Sequence, residues 1–161
     1  MTITSTLEDG RIQAVEGIIG YRFVDETLLR EALQAAGYSY PIDGNKNLAL
    51  VGDAALRLVL VSDGYKRHVF KGREEISERG MINNVLSATG SNANLAQVGF
   101  QNGLDRFIYT NPSQAGVVSK GVMATTIEAI LGAVYMDSNS DIRIVREVAA
   151  VLGLSWPDLP N

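Results

Sequence analysis

The chain has 161 residues, 46% of them hydrophobic and 20% charged, with no cysteine and a single histidine. This is the profile of one globular domain with a substantial core; it excludes disulfides, thiolate metal sites and cysteine nucleophiles, and argues against histidine-based centres, leaving oxygen ligands of the kind that suit Mg²⁺, Mn²⁺ or Ca²⁺. A formal charge of −4 speaks against a general polyanion binder, and no apolar run is long enough to span a bilayer.

The start, MTITSTLEDGR, has no charged stretch followed by an apolar one and is not rich in arginine. Neither a secretory signal nor a transit segment is expected, and an intracellular protein is. Hydrophobic periodicity is helical nearly throughout. Thr6 to Gly17 predicts a first amphipathic helix, with Ile12, Val15 and Ile19 facing inward. Asp25 is placed to cap a second helix in which Leu28, Leu29, Ala32 and Leu33 recur at helical spacing. Tyr38–Asn45 reads as a loop by its Pro, Gly and Asn. Asn45 starts a long helix through Leu48, Val51, Leu56, Val59 and Leu60 towards His68. The KGRE stretch at Lys71 breaks it.

A further helix is predicted from about Glu74 to Ala88, and another after a cap at Ser91. Leu104–Tyr109 is ambiguous, and Asn111–Gly116 is a loop. Ser119 opens the strongly apolar helix KGVMATTIEAILGAVYMD, which DSNSD ends. Ile142–Leu152 is the last helix, and the tail SWPDLPN is expected to be extended. The predicted architecture is all-α.

Two carboxylates stand out. Asp53 lies in NLALVGDAAL and Glu128 in TTIEAILGAVY, each a lone acid in an apolar stretch. Burying such a group is costly unless it is paired. Two carboxylates brought together in a low dielectric repel unless a cation or proton intervenes, and a divalent ion on oxygen ligands would resolve the conflict. A structural role is equally open at this point. Asp53 could pair with Arg57, and Glu128 could brace another helix.

From about Ile18 to Leu152 the chain resembles the catalytic domain of the ribonuclease III family. IGYRFVDETLLREAL resembles the family's opening. NKNLALVGDAAL is similar to its signature "NERLEFLGDS-L", SNANLAQVG to "-N--LA-LA", and KGVMATTIEAILGAVYMD to "K--ADT-EALIGA-Y-D". The resemblance implies an all-α endonuclease fold that cleaves double-stranded RNA as a homodimer with divalent metal, leaving a 5′ phosphate. Residues 18–153 are expected to form the domain, with 1–17 as an N-terminal helical extension and 154–161 as a tail, and the tail is expected to be too short for a double-stranded-RNA-binding domain to follow.

The family site holds four carboxylates in two helical pairs, one spaced by four residues and the other by three, and both spacings share a helix face. Carried over position by position, Asp53 and Glu128 match the second acid of each pair, as catalytic and metal-binding residues. The first acids fall on Ala49 and Thr125. The glutamate of "NER" falls on Lys46, and the family's "HRS" segment falls on Ala35, Ala36 and Gly37. Ala49 offers no ligand and Thr125 only a neutral hydroxyl. One weakly held Mg²⁺ or Mn²⁺ is compatible with that set and a two-metal site is not. RNA cleavage is therefore expected to be absent or very slow.

Lys46 lies seven residues before Asp53, on nearly the same helix face. It is a candidate modulator that would neutralise Asp53 in the space left by Ala49; the plainer reading is a solvated lysine. Glu74, Glu75 and Glu78 are minor candidates to replace the lost ligands. The basic stretch YKRHVFKGR offers Lys66, Arg67, Lys71 and Arg73 as phosphate contacts, and Lys120 is another. A solvated helix end explains that stretch as well. His68 is expected to be exposed and not catalytic. Gly132 and Ala133 are expected to permit close helix packing, and Asn92 and Asn94 to cap or brace a loop.

Three functions follow from these expectations. The first is a catalytically impaired domain that binds double-stranded or structured RNA or a ribonucleoprotein partner. The second is a divergent one-metal endoribonuclease. The third is a helical scaffold or ribosome-associated protein without RNA cleavage. No DNA or membrane partner is expected.

Overall fold

The computed structural model describes residues 3–40, 43–67 and 78–157. Among them the chain forms seven α-helices: α1 (Ile3–Ile19), α2 (Glu26–Ala32), α3 (Lys46–Lys66), α4 (Glu78–Thr89), α5 (Asn92–Gln101), α6 (Lys120–Asp137) and α7 (Ile142–Leu152). The one extended pairing among these residues is an isolated bridge between Gln34 and Tyr109. The all-α expectation holds. The ambiguous Leu104–Tyr109 stretch opens as a 3₁₀ turn over Leu104–Phe107, and Pro112–Gln114 forms a second within the expected loop.

Local chemistry sets most helix ends. The side chains of Asp25, Ser91, Ser119 and Asp141 accept from backbone N–H groups in the first turns of α2, α5, α6 and α7, satisfying donors that have no partner within the helix. Helix α1 is longer than Thr6–Gly17, because Gly17 continues the helix and the chain turns only at Gly20, where φ is +70°. The expected helix start at Glu74 and the break at Lys71 lie outside the described residues.

Helix α6 is apolar all round, and such a helix belongs in the middle of a fold. Met123, Ile127, Ile130, Leu131 and Val134 are fully enclosed, and α2, α3, α5 and α7 pack around them. Its closest neighbour is α3. A Cβ on Gly52 would overlap the Glu128 carbonyl, and one on Gly132 would overlap the Leu48 carbonyl. The two backbones therefore touch directly, as the reading of Gly132 anticipates.

Longer-range ties complete the frame. At the end of α6, Asp137 accepts hydrogen bonds from the Tyr21 hydroxyl and from the backbone N–H groups of Val24 and Asp25, at 2.7, 2.9 and 2.8 Å. Burial alone would raise its pKa, but these donors outweigh that and hold the carboxyl below its usual range. Arg146 on α7 pairs with Asp63 on α3 at 3.0 Å. In the tail, Trp156 is buried against Gly64 of α3 and close to Ile82 of α4. No helix among the described residues is long and apolar enough to cross a membrane.

Candidate functional site

The α3–α6 crossing decides where the two acids sit. Gly52 lies on the Glu128 carbonyl, so Asp53, the next residue, and Glu128 come from apposed turns. Their fields interact: the Glu128 pKa is raised from 4.5 to about 7, first by burial and then by the charge of Asp53, with Arg57 opposing. Glu128 is half-buried, and its carboxylate accepts no hydrogen bond among the described residues. Asp53 is not buried as the apolar run suggested; its side chain is 46% exposed. Only one side of α3 faces α6 at this turn, and Asp53 lies at its margin.

The cation beside Asp53 is Arg57, whose Nε donates to Oδ1 at 3.4 Å. This is the structural pairing that the sequence left open. Lys46 forms no ion pair with Asp53 or Glu128 among the described residues. Arg57 is one helical turn from Asp53 whereas Lys46 is two turns away, and i,i+4 is the spacing that brings side chains together. Such a surface pair contributes only ~0.3–0.5 kcal/mol, so Arg57 biases the local charge more than it stabilises the fold.

Ala49 is 5% exposed and belongs to the core. Thr125 is partly buried, one turn before Glu128 on α6. Together with Lys46, Asn92 and Ser119 it lines a cavity of about 370 Å³. A polar link missing from the sequence reading closes one side of this cavity. Asn45, 2% exposed, donates to the Ala32 carbonyl at 2.8 Å and to the Thr126 hydroxyl at 3.2 Å. The Thr126 hydroxyl in turn donates to the Val122 carbonyl. Asn45 does not cap α3 with its side chain; it ties the end of α2 to α6. The signal available in the sequence was the doubled threonine of ATTIEA, one residue for the core and one for the cavity.

The other candidates are dispersed. Asn94 braces the α4–α5 turn by donating to the Thr89 carbonyl at 2.7 Å. Lys66 and Arg67 are exposed at the far end of α3, ~20 Å along the helix from Asp53 by helical rise. Lys120 is exposed at the start of α6. His68, Lys71, Arg73, Glu74 and Glu75 lie outside the described residues, as does the side chain of Glu78.

Among the described residues no group of three or more carboxylate, histidine or cysteine side chains is arranged to hold a metal ion.

The Glu128 shift has a measurable consequence for stability. The folded carboxyl holds its proton more tightly than the unfolded one, so the folded state binds more protons between pH 4.5 and about 7. The stabilisation is present in full below that window and is lost as pH rises through it. Glu128→Gln, in metal-free buffer, is expected to gain stability relative to the parent across the window, by on the order of 1 kcal/mol after discounting for solvent screening of a half-exposed group. Urea unfolding of both proteins at pH 4, 6 and 8 checks this; a difference that does not vary with pH would contradict it.

Compared with known proteins, residues 46–139 match the Ribonuclease III domain family. The chain is 31% identical to a protein named Ribonuclease 3 1 from Nostoc sp., over 84% of this chain and 60% of that one. It is also 31% identical to Ribonuclease 3 of Aliivibrio fischeri, over 90% of this chain and 60% of the other. It thus spans about three fifths of the length of these curated relatives. In fold it is similar to the nuclease domain of ribonuclease III from Campylobacter jejuni, with a TM-score of 0.73 at 24% identity, over 88% of this chain and 94% of that one. That structure is described by flexibility in a region involved in dimer formation.

Proposed function

The chain belongs to the ribonuclease III family, and from that premise we propose that it binds double-stranded or structured RNA while its nuclease activity is impaired or lost. The observation that carries the reading is the enclosed methyl group of Ala49, 5% exposed in the α3–α6 crossing. It stands where the family resemblance places a glutamate, with Thr125 standing where it places an aspartate. Divalent metal ions serve the family generally, but here two of four acidic ligands are gone and Arg57 occupies one flank of a third. What remains is a face of mixed charge on a scaffold of the family type.

A second reading retains weak endonuclease activity with one Mg²⁺ or Mn²⁺ held between Asp53 and Glu128. The electrostatic coupling of these two acids favours it, since burial raises the Glu128 pKa first and repulsion from Asp53 adds to it, and a cation would relieve that repulsion.

The partner of first resort is a second copy of the chain. Leu50, Leu58, Val61 and Tyr65 are exposed along α3, Leu50 by 72%. Their spacing of 8, 3 and 4 residues puts them on one helical stripe. The stripe borders Asp53 and Arg57, so dimerisation would set two such faces beside each other. The dimer-forming region named for the Campylobacter domain supports this choice of partner.

One experiment separates the readings. Long duplex RNA is incubated with the protein in Mg²⁺ and in Mn²⁺, binding is followed at two salt concentrations, and the mass is measured by light scattering. Binding that weakens with salt, without cleavage, is the expected result. Metal-dependent cleavage lost in Glu128→Gln would favour the one-metal enzyme instead. A dimer that neither binds nor cleaves RNA would leave a helical scaffold.

A further inference from the structure

We propose that the cavity walled by Lys46, Asn92, Ser119 and Thr125 is a binding pocket for a phosphate group, carried by a nucleotide or by an RNA strand. Its volume of about 370 Å³ lies at the small end of the range for ligand sites, ~300–1,000 Å³. That suits a single nucleotide unit better than a larger ligand. The remaining wall is Asn45, whose amide is already hydrogen-bonded, and small or apolar residues including Ala35 and Val122; no carboxylate lines it. In a chain of net charge −4, a cavity with a cation and no acid departs from the average surface.

Most of the other polar groups in the wall are uncommitted. Lys46 forms no ion pair among the described residues, and the side chains of Asn92 and Thr125 make no hydrogen bond there. Ser119 accepts from the Val122 N–H through Oγ, which leaves its hydroxyl proton to donate. The wall thus draws an ammonium-bearing, an amide-bearing and two hydroxyl-bearing residues from the starts of α3 and α5 and from the cap and second turn of α6. A compact set of donors around one positive point charge suits a tetrahedral, acceptor-only anion; planar carboxylates are better matched by the fork of arginine. The buried Asn45 bridge between α2 and α6 holds two sides of the cavity in place.

Lys46 thus acquires a role in a different direction from Asp53. Two neighbouring compartments of opposite character lie along the α3–α6 crossing: the Asp53–Glu128 pair, and the cavity two turns earlier on α3 and one turn earlier on α6. The choice of phosphate as the ligand rests on the RNA reading above; the pocket itself rests on its donors.

The test follows backbone amide shifts in the full chain during titration with inorganic phosphate, adenosine monophosphate and adenosine. Phosphate and the nucleotide are expected to move the amides of Lys46, Asn92 and Thr125, and adenosine is not. Lys46→Glu is expected to weaken nucleotide binding by about tenfold or more, the scale of a charge-assisted hydrogen bond. Asn92→Ala, at an exposed position, provides a second variant should the first fail to fold. Absence of shifts with either anion, or binding unchanged in both variants, overturns the proposal. Duplex RNA is titrated in parallel. Anion binding without duplex binding retains the pocket and removes the RNA reading; duplex binding indifferent to both variants, with no anion binding, does the reverse. Duplex binding weakened by Lys46→Glu identifies the strand as a source of the phosphate.

Discussion

Cleavage of duplex RNA in Mn²⁺ is expected to rise by about 10²-fold or more when Ala49→Glu and Thr125→Asp are combined, the scale on which single transition-state-stabilising groups act. The reason is geometric. Residues 49 and 53 share one face of α3, and 125 and 128 share one face of α6, so the additions restore two pairs of oxygen ligands on apposed turns. The double variant is expected to be less stable without metal, because four carboxylates converge on a partly buried site and Ala49 has little room around it. Mn²⁺ should then raise its Tm more than that of the parent, by mass action on the folded state. The two readouts separate binding from chemistry. Tight Mn²⁺ binding without faster cleavage would mean that the missing acids are not what silences the site. A parent chain that cleaves as fast as the variant would remove the impaired reading altogether.

Gly132→Val is expected to destabilise the fold by about 3 kcal/mol or more, the upper end of the cost of overpacking a core. The added side chain meets main chain, the Leu48 carbonyl and the backbone at Gly52, and neither can rotate aside as a flexible side chain would. Gly132→Ala should show the same sign. Helix propensity alone would favour it by ~1 kcal/mol, so a net loss isolates the steric term. Gly17→Ala, in α1 with nothing near the new Cβ, provides the opposite control, with an expected gain of ~0.5–1 kcal/mol. Urea unfolding with the slopes compared tests all three. A tolerant Gly132 would mean that α3 and α6 can part easily, and that the placement of Asp53 against Glu128 is soft.

What the sequence disclosed was local or periodic. The caps at Asp25 and Ser91, the opening at Ser119 and the bounds Ile142–Leu152 all follow from residue chemistry within a turn. The inward placement of Ile12, Val15 and Ile19 follows from the 3.6-residue period. The motif strings placed Asp53 and Glu128 on two helices, and the glycines beside them bring those helices into contact. Partners remote in sequence were not legible. Nothing in QAAGYSY says that Ala32 and Thr126 share Asn45, and nothing in YMDSNSD says that Asp137 holds the chain at Val24 and Asp25 across more than 110 residues. The exposure of Asp53 was misjudged for a related reason. An apolar run marks a helix as buried, but the crossing geometry decides which of its residues stay at the margin. The cavity was hidden because its wall is drawn from α2's exit, α3, α5 and α6, and no linear pattern joins Lys46 to Asn92.

The position of Trp156 carries an optical consequence. It is the sole tryptophan in the chain, and its ring lies on Gly64 of α3 within reach of Ile82 of α4. The indole emission therefore reports on one event, the closure of the C-terminal tail over these two helices, undiluted by any other tryptophan. The ring touches α3 directly and is tied to α6 through α7, which packs on α6 and leads into the tail, so the wavelength of the emission follows loosening of these helices around the tail.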